Sequence, residues 1–165
     1  MSTARIDKTV VSGVFSLDGQ DFDVDNNVWL VGDDDEVLVI DAPHDAAPIV
    51  EAIGGRRVTA IVLTHGHNDH ITAAPALRAA TGAPIWFPPA DRMLWDMVHE
   101  GVAPDVDLGE GTTLRVAGTT LTALHTPGHS PGSSCLQAPD LGAAVPSPPA
   151  QCTVRSSAAM VVSSP

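Results

Sequence analysis

Val58-Thr59-Ala60-Ile61-Val62-Leu63 runs directly into Thr64-His65-Gly66-His67-Asn68-Asp69-His70. The apolar run reads as a buried strand, so the polar cluster falls where a strand of an α/β sheet ends and a helix begins, a common place for a site in such folds. In extended backbone side chains alternate, so His65 and His67 point the same way, while Asp69 and His70 lie in the first turn of the next element and can turn back toward them. Imidazole nitrogen and carboxylate oxygen form a donor set that suits zinc, and also iron or manganese. A polar loop with solvated histidines and Asp69 as a helix N-cap is the plainer reading. It explains Asp69 alone and not three histidines at these offsets, so a metal site is the working expectation.

Working outward, residues 27–31 and 36–40 read as strands joined by the turn Gly32-Asp33-Asp34-Asp35, whose charge suits a solvated hairpin. Residues 9–15 suit a first strand, with Leu17-Asp18-Gly19-Gln20 as a turn. Residues 45–53 suit a short helix closed by Gly54-Gly55, and His44 before it reads as an ordinary loop histidine. After His70, residues 71–81 are alanine-rich and end at Gly82, as a helix does. A strand at 84–87, a helix at 89–99 and two β segments at 113–116 and 120–123 follow. Trp95 and Met97 read as packing residues, and His99 is explained by a helix end without any metal.

The second stretch of interest is Leu124-His125-Thr126-Pro127-Gly128-His129-Ser130-Pro131-Gly132-Ser133. Proline restricts φ and glycine permits conformations other residues avoid, so Pro127 and Gly128 can shape a loop that projects His129 from a strand end.

The pattern Thr64-His65-x-His67-x-Asp69-His70 resembles the metal-binding motif of the metallo-β-lactamase superfamily. Residues 27–136 resemble its glyoxalase II-like thioesterase branch. The resemblance implies an αββα sandwich, of class α/β (α+β), with metal ligands at His65, His67, Asp69, His70 and His129 and a catalytic place for Asp69. It also implies supporting positions at Asp41, Thr64 and His125, with Asp41 matching a carboxylate that buttresses the ligands. Read without the family, Asp41 is simply an aspartate that ends a strand. The implied cofactor is zinc, one or two ions, with iron or manganese as substitutes.

Past residue 136 the resemblance weakens. The family carries a Gly-Asp whose aspartate bridges two metals, followed much later by a last histidine, whereas Pro139-Asp140-Leu141-Gly142 here leads into Ala143-Ala144-Val145-Pro146-Ser147-Pro148-Pro149. From Leu141 to Pro165 the only charged residue is Arg155, and Ser, Ala and Pro dominate. The expectation is a domain over residues 1–140, holding the first half of the sandwich with the second half largely missing, and a disordered tail over 141–165. The abrupt change suggests a reading frame altered near residue 142. Loss of a half-core would leave one apolar sheet face exposed and favour pairing with another copy of the chain, a homo-oligomer.

Composition narrows the function. A net charge of −12, with Lys8 as the only lysine, disfavours a nucleic-acid surface. No apolar run is long enough to span a bilayer and the N-terminus lacks a signal-peptide pattern, so no membrane partner is expected and the expected compartment is the cytoplasm. Cys135 and Cys152 are too few for a disulfide framework, and Cys135 reads as a small core residue. The leading reading is a zinc hydrolase acting on a small-molecule thioester or ester. One alternative is an inactive truncated homologue binding at most one metal. A further alternative is an iron oxidoreductase resembling the persulfide dioxygenases, which needs a carboxylate beside two of the histidines.

Overall fold

The computed structural model describes residues 3–145 and 160–161. Strands β1 (Arg5–Leu17) and β2 (Gln20–Gly32) form a long antiparallel hairpin, followed by β3 (Glu36–Ile40), helix α1 (Ala46–Ile53) and β4 (Arg57–Val62). Helices α2 (Asn68–Ile71) and α3 (Ala74–Thr81) lead to β5 (Ile85–Phe87), and α4 (Arg92–Val98) to β6 (Val106–Asp107). These six strands make one sheet in chain order. Next come β7 (Thr113–Val116), β8 (Thr119–His125), β9 (Ser134–Ala138), β10 (Ala143–Val145) and β11 (Met160–Val161), which make a second sheet in the order β11-β10-β9-β8-β7.

Alternation along the strands of the first sheet explains the layering. In β3, Val37 and Val39 join a core with Ile49 and Ile53 of α1, Leu77 of α3 and Trp95 of α4. Leu38 and Ile40 face the other way, onto Leu121 and Ala123 of β8 and Leu136 of β9. A strand buried on both faces needs an unbroken apolar run, which is why residues 37–40 and 60–63 carry no polar side chain. The arrangement is one helical layer, then two sheets face to face. The apolar face expected to lie open is therefore covered by the second sheet.

Several boundaries differ from the sequence reading. The first hairpin is longer than expected at both strands, because its tip is a tight turn with Asp18 and Gly19 both at positive φ (52° and 76°), which matches strand twist and lets pairing run on from Leu17 and Gln20. The helix read over residues 71–81 is two short helices. The break at Thr72 and Ala73 precedes Pro75, whose ring cannot continue a helix that began further back. Residues 141–145 and 160–161, read from sequence as part of a tail, are described in the structure. Gly142 in the left-handed conformation turns the chain so that Ala143–Val145 pairs antiparallel with β9, and β11 pairs parallel with β10. The rest of that tail lies outside the described residues. No helix among the described residues is long and apolar enough to cross a membrane.

Candidate metal centre

Three loops meet at one end of the sheets, after β3, after β4 and between β8 and β9. They carry Asp41, the His65–His70 cluster and His129. Hydrogen bonds lock them together: Asp41 N–H donates to the Val62 carbonyl (2.9 Å), Ala42 N–H to the His70 carbonyl (3.0 Å) and Ser134 N–H to the Thr64 carbonyl (2.8 Å).

His65, His67 and His129 come together, with one ring nitrogen of each lying within 4.8 Å of the others. His65 is buried, His67 half-buried and His129 exposed, so the cluster opens to solvent on the His129 side. His67 Nδ1 and His129 Nε2 are 2.9 Å apart. Two ligands on a tetrahedral zinc, at about 2.0–2.1 Å each, are separated by about 3.3 Å, so this hydrogen-bonded pair would open by a few tenths of an ångström to share an ion. His65 Nδ1 is hydrogen-bonded to Thr64 Oγ1 (3.0 Å), which fixes its ring. The donor set is three imidazoles, and a metal is chemically at home there.

Asp69 and His70 do not join that cluster. Asp41 lies at φ 68°, a left-handed conformation that costs energy in a non-glycine residue and is held here by its surroundings. Its carboxylate accepts from Thr64 N–H (2.9 Å) and from Thr64 Oγ1 (3.0 Å), and Oδ2 lies 2.9 Å from His70 Nδ1. Asp69 Oδ2 sits 3.6 Å from His70 Nε2 and accepts from Asn26 Nδ2 at 3.1 Å. His125 stays outside the cluster, and its Nε2 is 2.7 Å from the Pro131 carbonyl. That bond braces the loop carrying His129. His99 bonds the Ile71 carbonyl (2.8 Å) and stacks on Trp95, as a packing histidine does.

Three participants were not expected. Asp91 is buried and accepts from Gly66 N–H (2.8 Å), Ser130 Oγ–H (2.6 Å) and Gly132 N–H (2.6 Å). It therefore ties the His65–His67 loop to the His129 loop. A Cβ on Gly66 would lie 2.9 Å from the Asp91 and Leu94 Cβ atoms, and one on Gly132 only 2.7 Å from Asp91 Cγ, so both glycines are there for close approach. In the sequence Asp91 looks like the cap of α4, and it occupies that position without making a side-chain cap bond. Asn26 lies in the polar half of β2, among Asp23, Asp25 and Asn27, and is nonetheless buried. His44, read as a loop histidine, is half-buried with Nε2 2.7 Å from Asn26 Oδ1.

Electrostatics favour neutral imidazoles where a metal would bind. Burial, reinforced by repulsion from His70, His67 and His129, pushes the His65 imidazole down to about 2. Burial also lowers His129, with His67 and His70 adding to it, and burial lowers His44. His70 goes the other way: burial opposes its proton, but Asp41 and then Asp69 outweigh that and hold it above the ordinary value. The lowered groups link stability to pH. An unfolded imidazole takes a proton below about 6.5 that folded His65 refuses, so this contribution is full above about pH 6.5 and is lost as pH falls toward the folded value. We expect the metal-free chain to unfold at lower urea at about pH 5 than at about pH 7, with a slope approaching 1.4 kcal/mol per pH unit, and His65→Gln to flatten that dependence. Urea melts with chelator present at the two pH values check this.

Comparison with known proteins agrees with this geometry. A profile of the metallo-beta-lactamase superfamily matches residues 22–145. The chain belongs to the metallo-beta-lactamase superfamily. It is 37% identical over 112 residues to an uncharacterized protein of Aquifex aeolicus, covering 61% of this chain and 53% of that one. It is 37% identical over 124 residues to a hydroxyacylglutathione hydrolase of Cereibacter sphaeroides, covering 73% of this chain and 46% of the relative. Among solved structures, BLEG-1 B3 metallo-beta-lactamase superposes with a TM-score of 0.64 at 25% identity, covering 72% of this chain and 64% of that one. The chain thus spans about half the length of the curated relatives it matches.

Proposed function

We propose that this chain carries the metal-binding part of a hydrolase that cleaves thioesters, with zinc held by His65, His67 and His129. The observation that carries the reading is the convergence of those three ring nitrogens within 4.8 Å at the mouth of the two sheets. A three-imidazole set suits hydrolytic zinc, whereas mononuclear iron oxygenases use two histidines and a carboxylate, and here the three converging donors are all imidazoles, with Asp69 hydrogen-bonded to Asn26. The thioester preference rests on likeness to the hydroxyacylglutathione hydrolase, at 37% identity.

Zinc in such a site supplies a water whose pKa falls to about 7 and polarises a carbonyl. The protein's own groups do the rest. Thr64 and Asp41 hold the rings of His65 and His70 in place. Asp69, half-buried beside the cluster, offers a carboxylate that can orient a water and take up its proton. The exposed edge at His129 is the side from which a substrate reaches the centre.

The test is thiol release from a hydroxyacyl-glutathione thioester by the zinc-loaded full chain. Turnover that disappears in His67→Ala is expected. Absence of thiol release by the zinc-loaded protein, or equal release by the variant, would overturn the reading.

A further inference from the structure

One side chain contacts both Asp69 and His70. Asn26, on β2, is 7% exposed and reaches across with Nδ2 3.1 Å from Asp69 Oδ2 and 3.2 Å from His70 Nε2. A carboxylate only accepts hydrogen bonds, so the atom facing Asp69 is the amide nitrogen and the carbonyl oxygen faces His44. His44 must then present Nε2–H to Asn26 Oδ1, at 2.7 Å. On the other side, neutral His70 gives its Nδ1–H to Asp41, which leaves the Nε2 lone pair to accept from Asn26. The two amide hydrogens are therefore matched to the two atoms, one on Asp69 and one on His70, that a second cation beside the three histidines would need.

The amide is also backed. The His44 ring sits against the backbone of β1 so tightly that a Cβ on Gly13 would lie 2.2 Å from its Cγ. His44 itself is at φ 52°, a conformation maintained by this packing. Gly13, His44 and Asn26 form a line of contacts that presses the amide toward Asp69 and His70.

We propose that Asn26 occupies the second cation position and makes the centre mononuclear: one metal at His65, His67 and His129, with Asp69 and His70 held as a hydrogen-bonded pair by a neutral amide. This inference rests on the three-histidine centre proposed above. Asp69 then remains free of metal, and its carboxylate is held in place by Asn26.

Zinc titration of the chelator-stripped full chain, followed by elemental analysis after gel filtration, tests the assignment. Wild type should saturate at one ion per chain. Asn26→Asp removes the donor and adds a ligand, so it should take a second ion about 10–100-fold more tightly than wild type, the range over which a single partner moves metal affinity. Asn26→Ala opens the same space without adding charge and should take a second ion with an intermediate gain. Cadmium NMR reads the same count independently, with one resonance in wild type and two in Asn26→Asp. Two ions in wild type would overturn this inference while leaving the three-histidine centre standing. No ion in wild type would overturn the centre and the inference with it, and an unchanged count of one in both folded variants would overturn the role given to Asn26.

Discussion

His67→Ala is expected to abolish metal retention, while His99→Ala leaves it unchanged. The two variants separate ligation from packing because both remove an imidazole and only one removes a donor from the cluster. A zinc site built from a full set of ligands is worth on the order of 10 kcal/mol at neutral pH, and a site left with two imidazoles loses much of that. His67 is half-buried and bonds to His129, so its truncation costs the fold little. Metal content by elemental analysis after dialysis checks the pair. Equal content in both variants would place the metal elsewhere.

Asp91→Ala should be the most damaging single change to stability outside the apolar cores. Its carboxylate satisfies two buried backbone N–H groups and a serine hydroxyl from the His65–His67 and His129 loops, which also meet at the exposed His67–His129 pair. Stranding such donors costs about 1–3 kcal/mol each, so a loss of about 3–5 kcal/mol is expected. For a chain of this size that corresponds to a fall in melting temperature of about 6–20 °C. The same change frees the His129 loop from the His65–His67 loop, so zinc affinity measured well below the melting temperature should fall as well. Asp91→Asn keeps the shape and one acceptor, and should be intermediate on both readouts. Thermal melts and zinc titration check this, and a stability loss with unchanged zinc affinity would reduce Asp91 to a purely structural part.

Much of this was legible in the sequence for a physical reason: ligands that lie close in sequence betray themselves by spacing. His65 and His67 leave a strand on the same side, and His129 sits after Pro127 and Gly128 in a loop that the chain has little other reason to build. The apolar run at residues 58–63 reads as a buried strand from sequence alone, whereas its burial on both faces, against α1 and α3 on one side and the second sheet on the other, does not. Asp91 and Asn26 were harder to find because their roles depend on partners about 25 to 44 residues away, and their local contexts offer ordinary explanations. A proline-led helix start accounts for an aspartate, and a polar residue in a long hairpin passes for a solvent-facing one. His44 is a loop residue, as its context suggests, but nothing beside Pro43 reveals that Gly13 leaves room for its ring. The resemblance gives Asp69 and His70 to a second metal, and the spacing that places them side by side cannot report that an amide from another strand contacts both.

The central claim is that His65, His67 and His129 form one metal site. Its most direct measurement is zinc bound per chain on the purified 165-residue chain, after loading and exhaustive dialysis, in wild type beside His129→Ala. The structure predicts that wild type retains zinc and that the variant retains none. Zinc lost from wild type on dialysis, or retained equally by both, would contradict the account.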